Sequence, residues 1–142
     1  NCLALTRITR AVLPYMPRKA RIVQVASSAA FVPQPGFAVY AATKSYVLNL
    51  SLALRQELEK RGIIVTAVCP GPVKTEFFDT AYQKKEMKLY KKLAMAKPEK
   101  VVKKALRDVK RGRAVSVYGL SMKAVRVLCK LLPSGLIVRL IG

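Results

Sequence analysis

Histidine does not occur anywhere in this 142-residue chain. Its absence rules out a Ser-His triad and removes the usual nitrogen ligand of zinc sites. Cysteine is scarce: Cys2, Cys69 and Cys129 are odd in number and far apart. That is neither a disulfide framework nor a metal-ligand spacing, so no metal is expected. The simplest setting for such thiols is a reducing, cytoplasmic one. Uninterrupted apolar runs of ~18 residues are missing, which argues against a membrane-spanning helix. The opening Asn-Cys-Leu-Ala-Leu-Thr-Arg run is too short and too polar for a signal peptide. It begins at Asn1, without a cap, inside an apolar-periodic segment. The sequence therefore reads as a fragment whose N-terminal part is absent. No internal repeat or low-complexity tract is present.

Acidic residues are also few, seven against twenty-seven lysines and arginines, for a formal charge of +20. The excess is concentrated late in the chain: residues 1–73 hold nine basic and two acidic residues, residues 74–142 eighteen and five. Such a balance suits polyanionic partners, whether phosphate-bearing cofactors, an anionic membrane surface or nucleic acid. A merely solvated basic surface is the plain alternative. No zinc-finger, homeodomain-like or RNA-recognition signature accompanies the charge, so no nucleic-acid partner is expected. The apolar fraction of 52% is enough to build the core of one modest domain.

Apolar residues at helical spacing predict a helix over residues 2–13, stopped by Pro14 and Pro17. A β-branched run over 21–26 predicts a strand, and Pro33, Pro35 and Gly36 place a loop over 27–38. Residues 39–60 read as a long helix with Val47, Leu50, Leu54 and Leu58 on one face, ended by Gly62. The nearly all-apolar run 63–68 fits a parallel strand covered on both faces. Cys69-Pro-Gly-Pro72 breaks it, and Cys69 reads as a small buried apolar residue. Residues 74–97, with Phe77, Phe78, Tyr82 and Tyr90, suggest short mobile helices, either lining a substrate pocket as a lid or packing ordinarily. Pro98 opens a further helix to about Lys110, and 114–118 forms a third strand. Helix and strand alternate, which argues for α/β with a parallel sheet.

Within this frame one trio carries chemistry. Tyr40 and Lys44 are four residues apart, hence on one face of the 39–60 helix, and Ser27 precedes the tyrosine by thirteen. An ammonium beside a phenol favours the phenolate, and a tyrosine that normally titrates near ~10 needs such help to exchange protons near neutrality. A serine hydroxyl at the same spot could hold a substrate oxygen.

Ser27, the Tyr40-x-x-x-Lys44 helix and Pro70-Gly71-x-Val73-x-Thr75 together resemble the C-terminal half of a short-chain dehydrogenase/reductase, over most of residues 1–118. The resemblance implies a Rossmann-like, doubly wound parallel sheet, present as its C-terminal part. It makes Tyr40 the general acid/base and gives Lys44 the ribose of the nicotinamide as well as the phenol. It has Ser27 orient the carbonyl, with Ser28 as the neighbouring rival. Asn1 matches the family's helix asparagine, which holds a water in a proton relay. Pro70, Gly71, Val73 and Thr75 match the turn at the nicotinamide end. The implied cofactor is NADP or NAD, and the implied reaction interconverts a carbonyl and an alcohol on a hydrophobic small molecule. A homo-oligomer pairing through helices 2–13 and 39–60 is implied too. The sequence departs from the family pattern in having no Gly-x-x-x-Gly-x-Gly turn for the pyrophosphate. The fragment alone is accordingly expected not to turn over substrate, and a truncated, non-catalytic binding or membrane-surface remnant is the competing reading. Residues 119–142 form a basic and apolar tail. Over 120–142 that mix suits a helix lying peripherally on an anionic membrane, and equally one closing over the core or meeting a second subunit.

Overall fold

The computed structural model describes residues 2–74 and 95–141. Helix α1 (Cys2–Val12) runs into a 3-10 turn over Leu13–Tyr15, where Pro14 tightens the helix end. Strand β1 (Arg21–Val25) follows, then a 3-10 turn over Ser28–Phe31 and helix α2 (Ala38–Glu57). A short 3-10 turn over Glu59–Arg61 closes on Gly62, whose φ of 66° is left-handed and therefore suits glycine. Strand β2 (Ile64–Val68), helix α3 (Pro98–Lys110) and strand β3 (Val115–Ser116) complete the α/β alternation. Helices α4 (Leu120–Leu131) and α5 (Ser134–Ile141) form the tail. The third strand is shorter than the predicted 114–118 because pairing with β2 stops at Ser116.

Among the described residues the strands form one parallel sheet in the order β1-β2-β3. Arg21 lies opposite Ile64, Val25 opposite Val68, and Ala67 opposite Val115. Parallel neighbours require crossovers, and α2 and α3 lie on those crossovers. Side chains alternate across a strand. Val65, Ala67 and Cys69 therefore share a face, where they cluster with Val47 and Leu58 from α2 and its C-cap. Thr66 and Ser116 point the other way, and the Ser116 hydroxyl donates to Asp108 of α3 at 2.7 Å. Helices therefore cover both faces of the sheet, as the doubly wound reading requires.

Along α2 the buried stripe is Ala41, Val47, Ser51 and, at its C-cap, Leu58. Ser51 takes the place expected for Leu50, because its hydroxyl is satisfied by the Val47 carbonyl at 2.6 Å. Much of the basic excess near the sheet is structural. Arg55 donates to the carbonyls of Val65 (3.1 Å) and Gly112 (2.7 Å), and Arg61 to those of Leu13 (3.1 Å) and Met16 (2.8 Å). Arg21 reaches the carbonyl of Val109 at the end of α3. Each guanidinium is thereby fixed on main-chain carbonyls of neighbouring elements.

Candidate active site

In open α/β sheets ligands gather beyond the C-terminal ends of the strands. Here those ends are Val25-Ala-Ser27 after β1 and Cys69-Pro-Gly71 after β2. Two backbone bonds hold them together, Ala26 N–H to Val68 O and Ser28 N–H to Pro70 O, each 2.8 Å. Between them, α2 and the first turn of α3 lies a cleft of about 390 Å³.

Ser27, Tyr40, Lys44, Pro70, Gly71 and Val73 all line that cleft. Residues thirteen, seventeen and more than forty positions apart thus converge on one volume. Asn1 and Thr75, the other two candidates, lie outside the described residues, as do Phe77, Phe78, Tyr82 and Tyr90 of the predicted lid. Ser28 reaches the cleft as well.

Helical spacing puts Tyr40 and Lys44 on one face of α2, with the lysine Nζ 5.7 Å from the centre of the phenol ring. The ammonium is anchored by donating to the Val25 carbonyl at 3.1 Å, which ties the helix to the end of β1. Ser27 is extended and caps the following 3-10 turn, its Oγ accepting from the Ala29 N–H at 3.1 Å. A hydroxyl that accepts in this way still has its own proton to donate. The arrangement offers a phenol, a fixed cation and a hydroxyl donor around one space, which is a set of groups able to bind and protonate a carbonyl oxygen.

The Pro70-Gly71 turn carries a second constraint. A Cβ on Gly71 would lie 2.6 Å from both Cγ and Sδ of Met122 on α4. Glycine here lets α4 close over the turn. Gly71→Ala is expected to cost about 1–3 kcal/mol through overpacking, with most of it regained in the double variant that also carries Met122→Ala. Urea denaturation midpoints of the four chains check this.

Cys69 directly follows β2 with no exposed surface, inside the cluster of Ala26, Val47, Ala67 and Val117. Burial pushes its thiol up to about 11, against the opposing pull of Arg126, the Ser27 backbone and Lys44. At neutral pH it is therefore a protonated, inert core residue, as the sequence suggests. Iodoacetamide at pH 8 should leave Cys69 unmodified in the native chain and label it once the chain is unfolded, by peptide mass mapping.

Sequence reasoning did not identify Gln34, Phe37, Pro98, Val101 and Val102, which complete the cleft wall. The one signal for the last three was Pro98 at a helix start. Nothing local says that this start faces the β2 turn.

A family model for short chain dehydrogenases matches residues 1–86. Human dehydrogenase/reductase SDR family member 4 is 39% identical over 88 residues, which is 61% of this chain and 32% of that protein. Serine 3-dehydrogenase of Rhizobium radiobacter is 37% identical over 78 residues, 54% of this chain and 31% of that protein. A solved short-chain dehydrogenase from Sphingobium yanoikuyae, in complex with NADPH, is 31% identical and superposes with a TM-score of 0.74. That match covers 95% of this chain and 52% of the other. One from Burkholderia cenocepacia, in complex with NADP, shares the fold with a TM-score of 0.79 at 21% identity, covering 99% of this chain and 57% of the other. The chain thus spans about a third of the length of these curated relatives and about half of these solved ones.

Proposed function

Because the chain belongs to the short-chain dehydrogenase family, we propose that it carries the catalytic half of an oxidoreductase that uses NADP or NAD to interconvert a carbonyl and an alcohol on a hydrophobic small molecule. What supports the reading is the convergence of Ser27, Tyr40, Lys44 and the Pro70–Val73 turn on one cleft at the C-terminal ends of the strands.

In the reductive direction the Ser27 hydroxyl donates to the substrate carbonyl oxygen and holds it toward Tyr40. Tyr40 then gives its phenolic proton to that oxygen as negative charge develops on it. Lys44 places a cation 5.7 Å from the centre of the phenol ring, and its bond to Val25 keeps that charge in place as the proton leaves. The nicotinamide, when bound, supplies the hydride. The Pro70, Gly71 and Val73 turn and the Lys44 ammonium fit its ribose and carboxamide end, since all four residues border the cleft. Asn1 as the water-holding member of a proton relay, and Thr75 as a contact of the carboxamide or phosphates, belong to the same proposal. So do the division into residues 1–118 and a tail from 119, pairing of two copies, and a peripheral membrane contact through residues 120–142.

Two measurements test it. Nuclear magnetic resonance titration of this chain with nicotinamide mononucleotide should shift Lys44 and Val73 and leave the Arg55 region unmoved. Turnover of a panel of apolar ketones should consume reduced nicotinamide in the longest natural chain that carries these residues, and not in the 142-residue chain alone. Turnover by neither chain, together with an unperturbed Val73, would favour the non-catalytic remnant.

A further inference from the structure

Helix α4 is apolar on two faces, and the core uses one. Met122, Val125, Arg126 and Cys129 recur at helical spacing and turn inward: Met122 sits on Gly71, and the Arg126 guanidinium lies 6.0 Å from the centre of the Phe31 ring. The opposite face presents Leu120, Ala124, Val127, Leu128 and Leu131. These are not marginally exposed: Leu120 is 82% accessible, Leu131 75%, Val127 55% and Leu128 52%. On a helical projection Lys123 and Lys130 border that stripe along one side. Leu132 and Leu136 extend the apolar surface beyond the helix end. Asp108 is the last acidic residue of the chain, whereas seven lysines and arginines follow it.

We infer that this outward stripe of α4 docks flat on an anionic lipid surface, its leucines and Val127 entering the acyl boundary while Lys123 and Lys130 meet the headgroups. Charge selects this occupant. A second copy of α4 would bring lysine against lysine with no carboxylate to answer, because residues 109–142 contain none. An apolar stripe with a one-signed basic border is the pattern of an interfacial helix. Arg126 belongs to the core side of α4 and not to the docking side. It deepens the membrane part of the proposed function and is independent of the carbonyl chemistry, so failed docking and failed turnover are separate results.

The test is flotation of the full chain with vesicles of phosphatidylcholine alone and of phosphatidylcholine with phosphatidylserine. The chain should float with the second and not the first, and less as salt is raised. The exchange K123E/K130E and, separately, L128E/L131E should each weaken binding by about tenfold or more, with circular dichroism unchanged. The chain has no tryptophan, so V127W supplies a sole indole that can be excited selectively near the red edge, and its emission should shift to the blue on anionic vesicles. Y15W, at an exposed site on the 3-10 turn after α1, should not shift. No flotation with anionic vesicles overturns the inference. So does equal flotation with neutral ones, undiminished binding by both charge and leucine variants, or a dimer that L128E/L131E dissociates in the absence of vesicle binding.

Discussion

Replacing Tyr40 by phenylalanine should lower kcat/KM for ketone reduction roughly a thousandfold, the middle of the range for a positioned general acid. The change removes one oxygen and leaves the ring over which Lys44 lies, so the fold and the cation's place are kept. The loss should fall mainly in kcat, because the phenolic proton is needed as charge develops and not for binding. Ser27→Ala removes the hydroxyl proposed to donate to the same oxygen and should cost about a hundredfold. Ser28→Ala, at the neighbouring hydroxyl, should cost little, which decides between the two serines. Lys44→Arg should not rescue, because a wide planar fork cannot reproduce a point charge anchored on the Val25 carbonyl. Assays on the longest natural chain, with circular dichroism of each variant, supply the comparison. Activity of the phenylalanine variant within tenfold of the parent would remove Tyr40 from its role.

The parts of this site that depend on short spacing are legible in the sequence. Four residues of helix place Tyr40 over Lys44, and a proline-glycine break after an apolar run places Pro70 and Gly71 at a strand end. Alternation of β-branched runs with helical periods gave the parallel sheet. What local patterns could not carry was set by contacts across the chain. Arg55 and Gly112 are 57 residues apart, and Arg21 and Val109 are 88 apart. No periodicity distinguishes such an arginine from one on a solvated face. Ser51 reads as polar and is buried, because the carbonyl one turn earlier satisfies it. Gly71 reads as a cofactor-facing glycine, yet its missing side chain makes room for Met122. The more apolar face of α4, Leu120, Val127, Leu128 and Leu131, is the exposed one, and the face that carries Arg126 packs inward, which only packing tells.

Asp108 is the sharpest case of a residue whose letter misleads, and its removal should have the largest effect on stability. It lies on α3 with 1% of its surface accessible. Its carboxylate accepts from Lys104 one turn earlier and from the Ser116 hydroxyl on β3, and Arg113 Nε stands 3.5 Å from its other oxygen. One side chain thus fastens α3 to β3. Asp108→Ala leaves the Ser116 hydroxyl buried without its acceptor and Lys104 without its partner. A loss of about 3–5 kcal/mol at neutral pH is expected, the range for breaking a buried pair from one side. Burial pushes the carboxyl up, but the bonds from Lys104 and Ser116 and the charges of Lys104 and Arg113 outweigh it, so it titrates below its ordinary value. The unfolded chain therefore takes up the proton first. Stability from this group is fully present above the unfolded value near ~3.9 and drains away as pH falls from there through the folded value. Denaturation midpoints measured from neutral pH down to acid should show the parent losing more than Asp108→Asn in that window. Parallel curves for the two would mean that the carboxylate charge contributes nothing to holding β3 against α3.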